Sequence, residues 1–185
     1  DHLLFGITQG GMFPELRRES AETLIEIGFD GYAIGGLSVG ESKQQMHDMT
    51  EATVAHLPGE QPIYLMGVGT PGDLVEGVWR GVDMFDCVMP TRNARNGMLF
   101  TSEGIINIKN AKWANDFSPI DEKLETDNSG RYSKAYLRHL FMAKELLAYR
   151  LNTLHNVYFF LNLMKQVRQA ILEDKFESFR KETLS

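Results

Sequence analysis

The sequence predicts an α/β fold with a parallel sheet in residues 1–90, followed by a mostly helical region. Short apolar segments alternate with amphipathic stretches about four times in this first part, which is typical of strand–helix units with helical crossovers. Each apolar segment also runs into glycine or polar residues, and α/β barrels and open α/β sheets both build their sites at that end of the strands. A complete barrel needs eight such units in about 250 residues. The chain would therefore supply half of one.

The elements of this first part follow from local signals. Four strands are predicted, at residues 4–8, 31–34, 63–66 and 82–89. The first helix is expected from Pro14 to Gly28, because proline is favoured in the first turn and glycine after the last one. Its apolar stripe would consist of Leu16, Leu24 and Ile27.

Two further helices are predicted between the strands. The second would keep four residues on one side, namely Met46, Met49, Thr53 and Leu57. The third would begin after Thr70, a capping residue, with Pro71 at its first position and Asp73 at its third.

The chain changes character after residue 90. Residues 99–108 predict a hairpin, residues 114–132 a polar loop, and the chain from Ser133 onward is expected to be helical. We therefore divide it into a half barrel at 1–98 and a second domain at 99–185 that contains the hairpin, the loop and a helical subdomain.

Composition narrows the class of protein. The chain has 185 residues, of which 43% are hydrophobic and 24% charged, as in ordinary soluble globular proteins. No apolar run is long enough for a membrane span, and the single cysteine, Cys87, favours a reducing cytoplasm. A formal net charge of -6 argues against coating nucleic acid through overall charge, but leaves room for a local basic groove. The start resembles no signal peptide and has no initiator Met, so we expect a chain cut from something longer.

Seven segments closely resemble bacterial tRNA-guanine transglycosylases, and together they extend over nearly the whole chain. They are FGITQG at 5–10, GYAIGGLSVGE at 31–41, YLMGVG at 64–69, DMFDCVMPTRNARNG at 83–97, IKNAK at 108–112, SKAYL at 133–137 and LNTLHN at 151–156. The resemblance implies the C-terminal half of a TIM (β/α)8 barrel. It also implies a pentosyltransferase that exchanges guanine at the tRNA wobble position for a 7-deazaguanine, preQ1 or queuine, without cutting the backbone.

The resemblance makes Asp86 the catalytic nucleophile. A carboxylate is suited to this role because it can hold ribose C1′ covalently while one base leaves and another enters. The alternative is an aspartate that only organises a turn. Asp83, three residues earlier and on the opposite face of a strand, is expected to be structural.

The same resemblance places three residues around the edge of the base. Gln9 would hydrogen-bond the base, and the amide of Gly36 would meet its exocyclic oxygen. The residue type of Gly35 and Gly36 supports this site independently of the resemblance, because a backbone without Cβ lets a base approach closely. The alternative for Gln9 is a loop amide that caps the next helix.

Three more residues complete the implied base pocket. The carbonyl of Leu37 would accept from the aminomethyl group of the incoming base, Glu41 would support that peptide, and Met66 would pack against the ring. The alternative for Met66 is core filling.

Arg92 and Arg95 would hold the tRNA anticodon loop, since a planar guanidinium can grip phosphate. Lys109 and Lys112 would extend this basic track, or else be solvated surface charges.

The chain departs from the family at its zinc site. The family uses three cysteines spaced C-x-C-x-x-C and a histidine; these four positions are Leu124, Thr126, Ser129 and His155 here. Leucine cannot coordinate a metal and neutral hydroxyls are poor zinc ligands, while the nearby acids Asp121, Glu125 and Asp127 suit harder cations. We predict no cofactor and no structural zinc, a looser loop at 119–132, and a hydrogen-bonding role for His155.

The chain also lacks the family's first four barrel strands, which carry further substrate-binding and proton-transferring groups. Open sheet edges favour association, so we expect a homodimer or dependence on an N-terminal half of the same enzyme, and an isolated chain without activity. The rival hypothesis is a non-catalytic tRNA-binding or dimerisation subunit. A third, a phosphate site at Gly67-Val68-Gly69, rests on a short glycine pair, which is weak evidence.

Overall fold

The computed structural model describes residues 2–124 and 131–184, and the chain divides into two units. The first unit comprises Asp1–Cys87 and Lys175–Ser185, and the second comprises Val88–Asp174. The boundary after Cys87 differs from the expected one after residue 98, because the helix that follows it packs against the longest helix of the second unit.

The first unit is built on a four-stranded parallel sheet in the order β1-β2-β3-β4. The strands are β1 (Phe5–Thr8), β2 (Gly31–Ile34), β3 (Ile63–Leu65) and β4 (Met84–Phe85). Phe5 pairs with Gly31, Tyr32 with Ile63, and Tyr64 with Met84. The sheet confirms the predicted α/β class and its four strands, although β4 is much shorter than the predicted segment.

Three helices connect the strands, at α1 (Pro14–Ile27), α2 (Lys43–Val54) and α3 (Pro71–Trp79). The predicted ends of α1 are confirmed, and so is the cap of α3, where Thr70 accepts from the Asp73 amide and the Asp73 carboxylate accepts from the Thr70 amide.

The predicted apolar stripe of α1 is wrong in two of its three residues. Leu16 is 50% exposed and Ile27 is 66% exposed. The inward face instead carries Arg17 and Ala21, both fully buried, and the partly buried Leu24. These three residues have the i, i+4, i+7 spacing of one helix face. The helix is rotated relative to the predicted orientation because Arg17 hydrogen-bonds the backbone carbonyls of Gly11 and Gly35 inside the unit.

The core of the first unit lies between the sheet and these helices. Its buried members include Tyr32, Ile34, Ile63 and Leu65 from the strands and Ala21 and Met46 from the helices. Three of the four residues predicted on the inward side of α2 are confirmed, since Met46 and Thr53 are buried and Met49 packs against the core. Leu57 is also buried, but it lies beyond the helix, which ends at Val54.

The last helix of the chain, α7 (Phe176–Leu184), belongs to the first unit and packs on α3. Arg180 pairs with the buried Glu76 at 2.7 Å, and its guanidinium lies 4.8 Å from the centre of the Trp79 ring. Glu76 also hydrogen-bonds Arg80, so its carboxylate is shared by two arginines.

The second unit contains a short helix, a hairpin and two further helices. They are α4 (Met89–Arg95), β5 (Met98–Thr101), β6 (Gly104–Asn107), α5 (Lys134–Met142) and α6 (Leu146–Leu172). The predicted hairpin and the helical region after Ser133 are confirmed. The predicted fourth strand at 82–89 is too long, because β4 ends at Phe85 and α4 begins at Met89, with Pro90 in its first turn.

Asn156 on α6 ties the second unit together. It is fully buried, and its amide nitrogen donates to the carbonyls of Pro90 at 2.9 Å and Met98 at 3.0 Å. Its Oδ1 accepts from the Phe100 amide at 3.1 Å. One side chain thus joins α4, β5 and α6.

Within the residues that the structure describes, no helix combines the length and the apolar character needed to cross a bilayer.

Candidate active site

Asp86 lies directly after β4 and is held at the carboxyl edge of the sheet. Its Oδ1 accepts a hydrogen bond of 2.5 Å from the Tyr64 hydroxyl and one of 2.8 Å from the Gly67 amide. Both donors come from β3 and the residues after it. Asp86 itself is exposed, so the carboxylate is fixed by its neighbours and remains open to solvent.

These contacts set the charge state of the pair. The hydrogen bond from Tyr64, followed by that from Gly67, lowers the pKa of Asp86 below its ordinary value despite some burial. The same hydrogen bond to Asp86 raises the pKa of Tyr64 to about 12. At neutral pH the carboxylate is ionised and the phenol keeps its proton, which is the state a carboxylate nucleophile requires.

Gln9 and the two glycines after β2 lie against one another. A Cβ added at Gly35 would be 2.5 Å from Nε2 of Gln9, and one added at Gly36 would be 2.8 Å from its Oε1. Gly36 also has φ +69°, a conformation that favours glycine. The side chain of Gln9 is exposed, while its backbone amide donates to the Ser20 hydroxyl at 3.1 Å. The helix-capping alternative for the Gln9 side chain has no contact to support it among the described residues.

Glu41 clamps the loop that follows the glycines. Its carboxylate accepts from the amides of Ser38 and Val39, the latter at 3.0 Å. The Ser38 N–H and the Leu37 carbonyl belong to one peptide bond, so Glu41 supports that peptide directly. Burial would raise the pKa of Glu41, but these amide hydrogen bonds outweigh it and lower the pKa. The carboxylate is therefore ionised at neutral pH.

Met66 and Asp83 occupy different positions relative to this edge. Met66 is half-buried just after β3, and its amide donates to the Ile34 carbonyl at 3.3 Å, so it lies between the ends of two strands. Asp83 accepts from the Ile63 amide at 2.8 Å. That contact lies at the start of β3, away from the carboxyl edge, and fits the structural role expected for Asp83.

The four expected tRNA-binding residues are all exposed in the second unit. Arg92 and Arg95 lie three residues apart on α4, which places them on one side of that helix. The ammonium of Lys109 lies 5.4 Å from the centre of the Phe141 ring, and that of Lys112 lies 4.3 Å from Trp113. The lysines thus rest on aromatic rings with their charges accessible to solvent.

Two of the four residues at the family's zinc position, Leu124 and His155, lie in the described part of the chain, and their contacts do not suit a zinc site. Leu124 is buried and has no donor atom, and Nε2 of His155 hydrogen-bonds the Phe100 carbonyl at 2.7 Å. Because a carbonyl only accepts, Nε2 carries a proton and is not free to bind a metal. The Asp121 carboxylate accepts hydrogen bonds from the amide and the hydroxyl of Ser102.

Thr126, Ser129 and the acids Glu125 and Asp127 lie outside the described residues, as do six of the fourteen residues of the loop at 119–132 that is expected to be looser. In the part of the chain that is described, no group of three or more His, Cys, Asp and Glu residues is placed to hold a metal ion.

Sequence reasoning missed two residues that contact the site. Tyr64 lies in the segment at 64–69 that resembles the family, but neither it nor Arg17 is among the site residues predicted from the sequence. The parallel register would have revealed Tyr64: it pairs with Met84, so it lies on the same face as Asp86 two residues later. No signal in the sequence marks Arg17, because a surface position is the ordinary place for a helical arginine.

The sequence matches the queuine tRNA-ribosyltransferase family over residues 1–185. The chain belongs to this family. A queuine tRNA-ribosyltransferase from Syntrophobacter fumaroxidans is 61% identical over 178 residues, which are 96% of this chain and 48% of that protein. Relatives of the same name from Caldanaerobacter subterraneus subsp. tengcongensis and Pasteurella multocida are 57% and 58% identical, over 98% and 97% of this chain. The chain spans about half the length of the queuine tRNA-ribosyltransferases it matches, 48% and 46% for these two.

Proposed function

We propose that the chain forms the nucleophile-bearing half of a tRNA-guanine transglycosylase. In the first step the Asp86 carboxylate attacks C1′ of the wobble nucleotide, and the bond from C1′ to guanine breaks with its electron pair leaving on the base. In the second step the incoming 7-deazaguanine, preQ1 or queuine, attacks C1′ and releases the carboxylate. The departing base gains one proton and the incoming base loses one, through groups that the resemblance places outside this chain.

The observation that carries this proposal is the double hydrogen bond to one oxygen of Asp86. Tyr64 and Gly67 both bind Oδ1. They fix the plane of the carboxylate, so that the other oxygen, Oδ2, can be directed at a sugar carbon. A carboxylate positioned before the substrate arrives loses little further freedom in the reaction.

Base recognition would use the ends of β1 and β2. Gln9 lies over Gly35 and Gly36, so a flat base approaching this edge would meet the amide of the glutamine and the bare backbone together. The Leu37 peptide, held by Glu41, would offer its carbonyl to the aminomethyl group of preQ1. Met66 would supply an apolar contact to the ring.

Contact with tRNA would involve the exposed cations of the second unit. Arg92 and Arg95 would bind phosphates of the anticodon loop, and Lys109 and Lys112 would add weaker contacts. A tRNA substrate and a single cysteine favour a cytoplasmic location.

The parallel sheet supports a half barrel as the architecture of the first unit. One face is packed by α1 and α2. The other face carries Ile7 and Met84, each 45% exposed. Parallel sheets are normally covered on both sides. We propose that an N-terminal half of the same enzyme covers this face and pairs with the free edges of β1 and β4. Without it, a second copy would cover them.

Base exchange tests the proposal directly. The chain is incubated with tRNA and labelled guanine, alone and with the N-terminal half of the Syntrophobacter fumaroxidans relative. We expect incorporation only in the supplemented sample, and none with Asp86→Asn. Asp83→Asn is the matched control, since Asp83 lies away from the carboxyl edge.

Two outcomes oppose the proposal. Undiminished incorporation of guanine with Asp86→Asn would show that Asp86 is not the nucleophile. Binding of tRNA by the supplemented chain without any exchange would indicate a non-catalytic tRNA-binding subunit instead.

A further inference from the structure

Arg17 is a fully buried cation whose partners are backbone carbonyls. Its Nε donates to the Gly11 carbonyl at 2.7 Å, and both Nη1 and Nη2 donate to the Gly35 carbonyl at 3.2 Å. Burial lowers its pKa and the charge of Glu41 raises it, but a guanidinium stays protonated in proteins. Burying a charge is costly, so the position calls for a reason beyond filling space.

The carbonyl that Arg17 binds belongs to the same peptide bond as the amide of Gly36. In a trans peptide the C=O and the N–H point in opposite directions and are conjugated. A cation at the oxygen withdraws electron density from the nitrogen, which makes the N–H a stronger hydrogen-bond donor. Arg17 therefore lies behind the donor that, in the proposed function, meets the exocyclic oxygen of the base.

Glu41 acts on the neighbouring peptide in the opposite sense. Its carboxylate binds the Ser38 N–H, and an anion at that end strengthens the Leu37 carbonyl as an acceptor. A cation thus supports the donor peptide and an anion supports the acceptor peptide. The two charges match the two polarities that a base with an oxo group and an aminomethyl group presents.

We infer that Arg17 is a positioning and specificity residue that directs the Gly36 amide toward purine bases with a 6-oxo group. This inference rests on the proposed function. Arg17 touches neither substrate nor reacting atoms, and it acts on the Gly36 amide through the Gly35 carbonyl. It should therefore affect bases that carry the oxygen and leave unaffected bases that lack it.

The test compares the binding of two bases by variants of two neighbouring arginines. Dissociation constants for guanine and for 2-aminopurine, which lacks the 6-oxygen, are measured calorimetrically with the chain supplemented by the N-terminal half of the Syntrophobacter fumaroxidans relative. For Arg17→Met we expect guanine to bind several-fold and at most about tenfold more weakly, the limit being complete loss of the Gly36 hydrogen bond, and 2-aminopurine to stay within about twofold of the unmodified protein. Arg18→Met is the matched control, because Arg18 is an exposed neighbour paired with Glu22.

Arg17→Lys keeps the positive charge but loses the several donor nitrogens of the guanidinium. It should therefore bind guanine more tightly than Arg17→Met and more weakly than the unmodified protein. It also serves as the working variant should Arg17→Met not fold. Equal weakening for both bases, or none for either, would overturn the inference and leave Arg17 as a tie between two loops. If guanine binds but is not exchanged, the proposed catalysis fails while the comparison of bases still decides the role of Arg17. Failure of the unmodified protein to bind guanine would defeat both.

Discussion

The Tyr64 hydroxyl donates a hydrogen bond of 2.5 Å to Oδ1 of Asp86, across the pair of strands β3 and β4. The contact raises the pKa of the phenol to about 12 and lowers that of the carboxyl. The two shifts have opposite signs because one proton is held on the tyrosine and kept off the aspartate. This pairing explains how an exposed carboxylate can stay ionised and fixed in direction.

Removing the Tyr64 hydroxyl should impair exchange and move its pH profile. A hydrogen bond to a charged group contributes about 1.5–3 kcal/mol, so Tyr64→Phe should slow exchange about tenfold or more when the chain is supplemented with the N-terminal half of the relative. Activity requires ionised Asp86. Since Tyr64 lowers the pKa of Asp86, its loss should shift the acid limb of the kcat/KM profile to higher pH.

Tyr149→Phe removes a hydroxyl in the second unit and should leave both quantities unchanged. An acid limb that stays in place in Tyr64→Phe would contradict the assigned role. As an independent check, Asp86→Asn should bring the titration of Tyr64 down from about 12 toward its ordinary value, as read by NMR of labelled tyrosine.

Acid should weaken the second unit through His155. Burial lowers the pKa of its imidazole, against the raising effects of the Phe100 hydrogen bond and the Asp121 charge. As pH falls below the ordinary value of 6.5, the unfolded chain takes up a proton that the folded unit refuses. Stability is therefore lost below that pH, at no more than about 1.4 kcal/mol for each pH unit from this group.

His155→Gln can still donate to the Phe100 carbonyl but does not titrate. Urea unfolding at pH 7.5 and 5.5, followed by Trp113 fluorescence in a Trp79→Phe background, should give a smaller pH difference for His155→Gln. The comparison is needed because burial also lowers the pKa of His47 in the first unit. Equal pH differences in the two proteins would refute the prediction.

Asn156→Ala should strongly destabilise the second unit. The substitution leaves the Phe100 amide and the carbonyls of Pro90 and Met98 without their partner, and an unsatisfied buried group costs about 1–3 kcal/mol. We expect a loss of about 3 kcal/mol in the free energy of unfolding, measured with Trp113. Gln166→Ala, an exposed amide on the same helix, should change it by less than about 0.5 kcal/mol. Similar losses for both variants would mean that the three bonds do not carry the effect.

Zinc should be absent from the purified chain, and chelator should not alter its unfolding. Leu124 offers no ligand atom and His155 is committed to Phe100. Atomic emission spectrometry is expected to find well under one zinc per chain. The triple variant Leu124→Cys, Thr126→Cys, Ser129→Cys restores the thiolates and should gain zinc, provided His155 leaves Phe100. One tightly bound zinc in the unmodified chain would disprove this expectation.

The four strands, the helix ends and the hairpin could be predicted because each depends on a local signal. Pro14, Thr70 and Ser133 mark helix starts whatever surrounds them. The inward face of α1 could not be predicted, since helical spacing allows either of two faces to be buried. One carries leucines and an isoleucine, and the other carries Arg17. Which one is buried depends on the carbonyls of Gly11 and Gly35, and these are placed by other parts of the chain.

The candidate site shows the same division. Asp86 and Glu41 could be proposed as site residues from the resemblance of the segments around them to the family. The partners of Asp86 come from the neighbouring strand, so they depend on the register Tyr64–Met84 and on the Gly67 backbone. Interactions across strands are not encoded in the local pattern of either strand.

Helix α7 has a consequence for how the chain is assembled during translation. It completes the first unit through Arg180 and Glu76, yet all of Val88–Asp174 is synthesised before it. On the ribosome, Glu76 acquires its second arginine only after Arg180 has been synthesised. A nascent chain released after the sheet but before α7 would leave the Glu76 carboxylate and the Trp79 ring without Arg180.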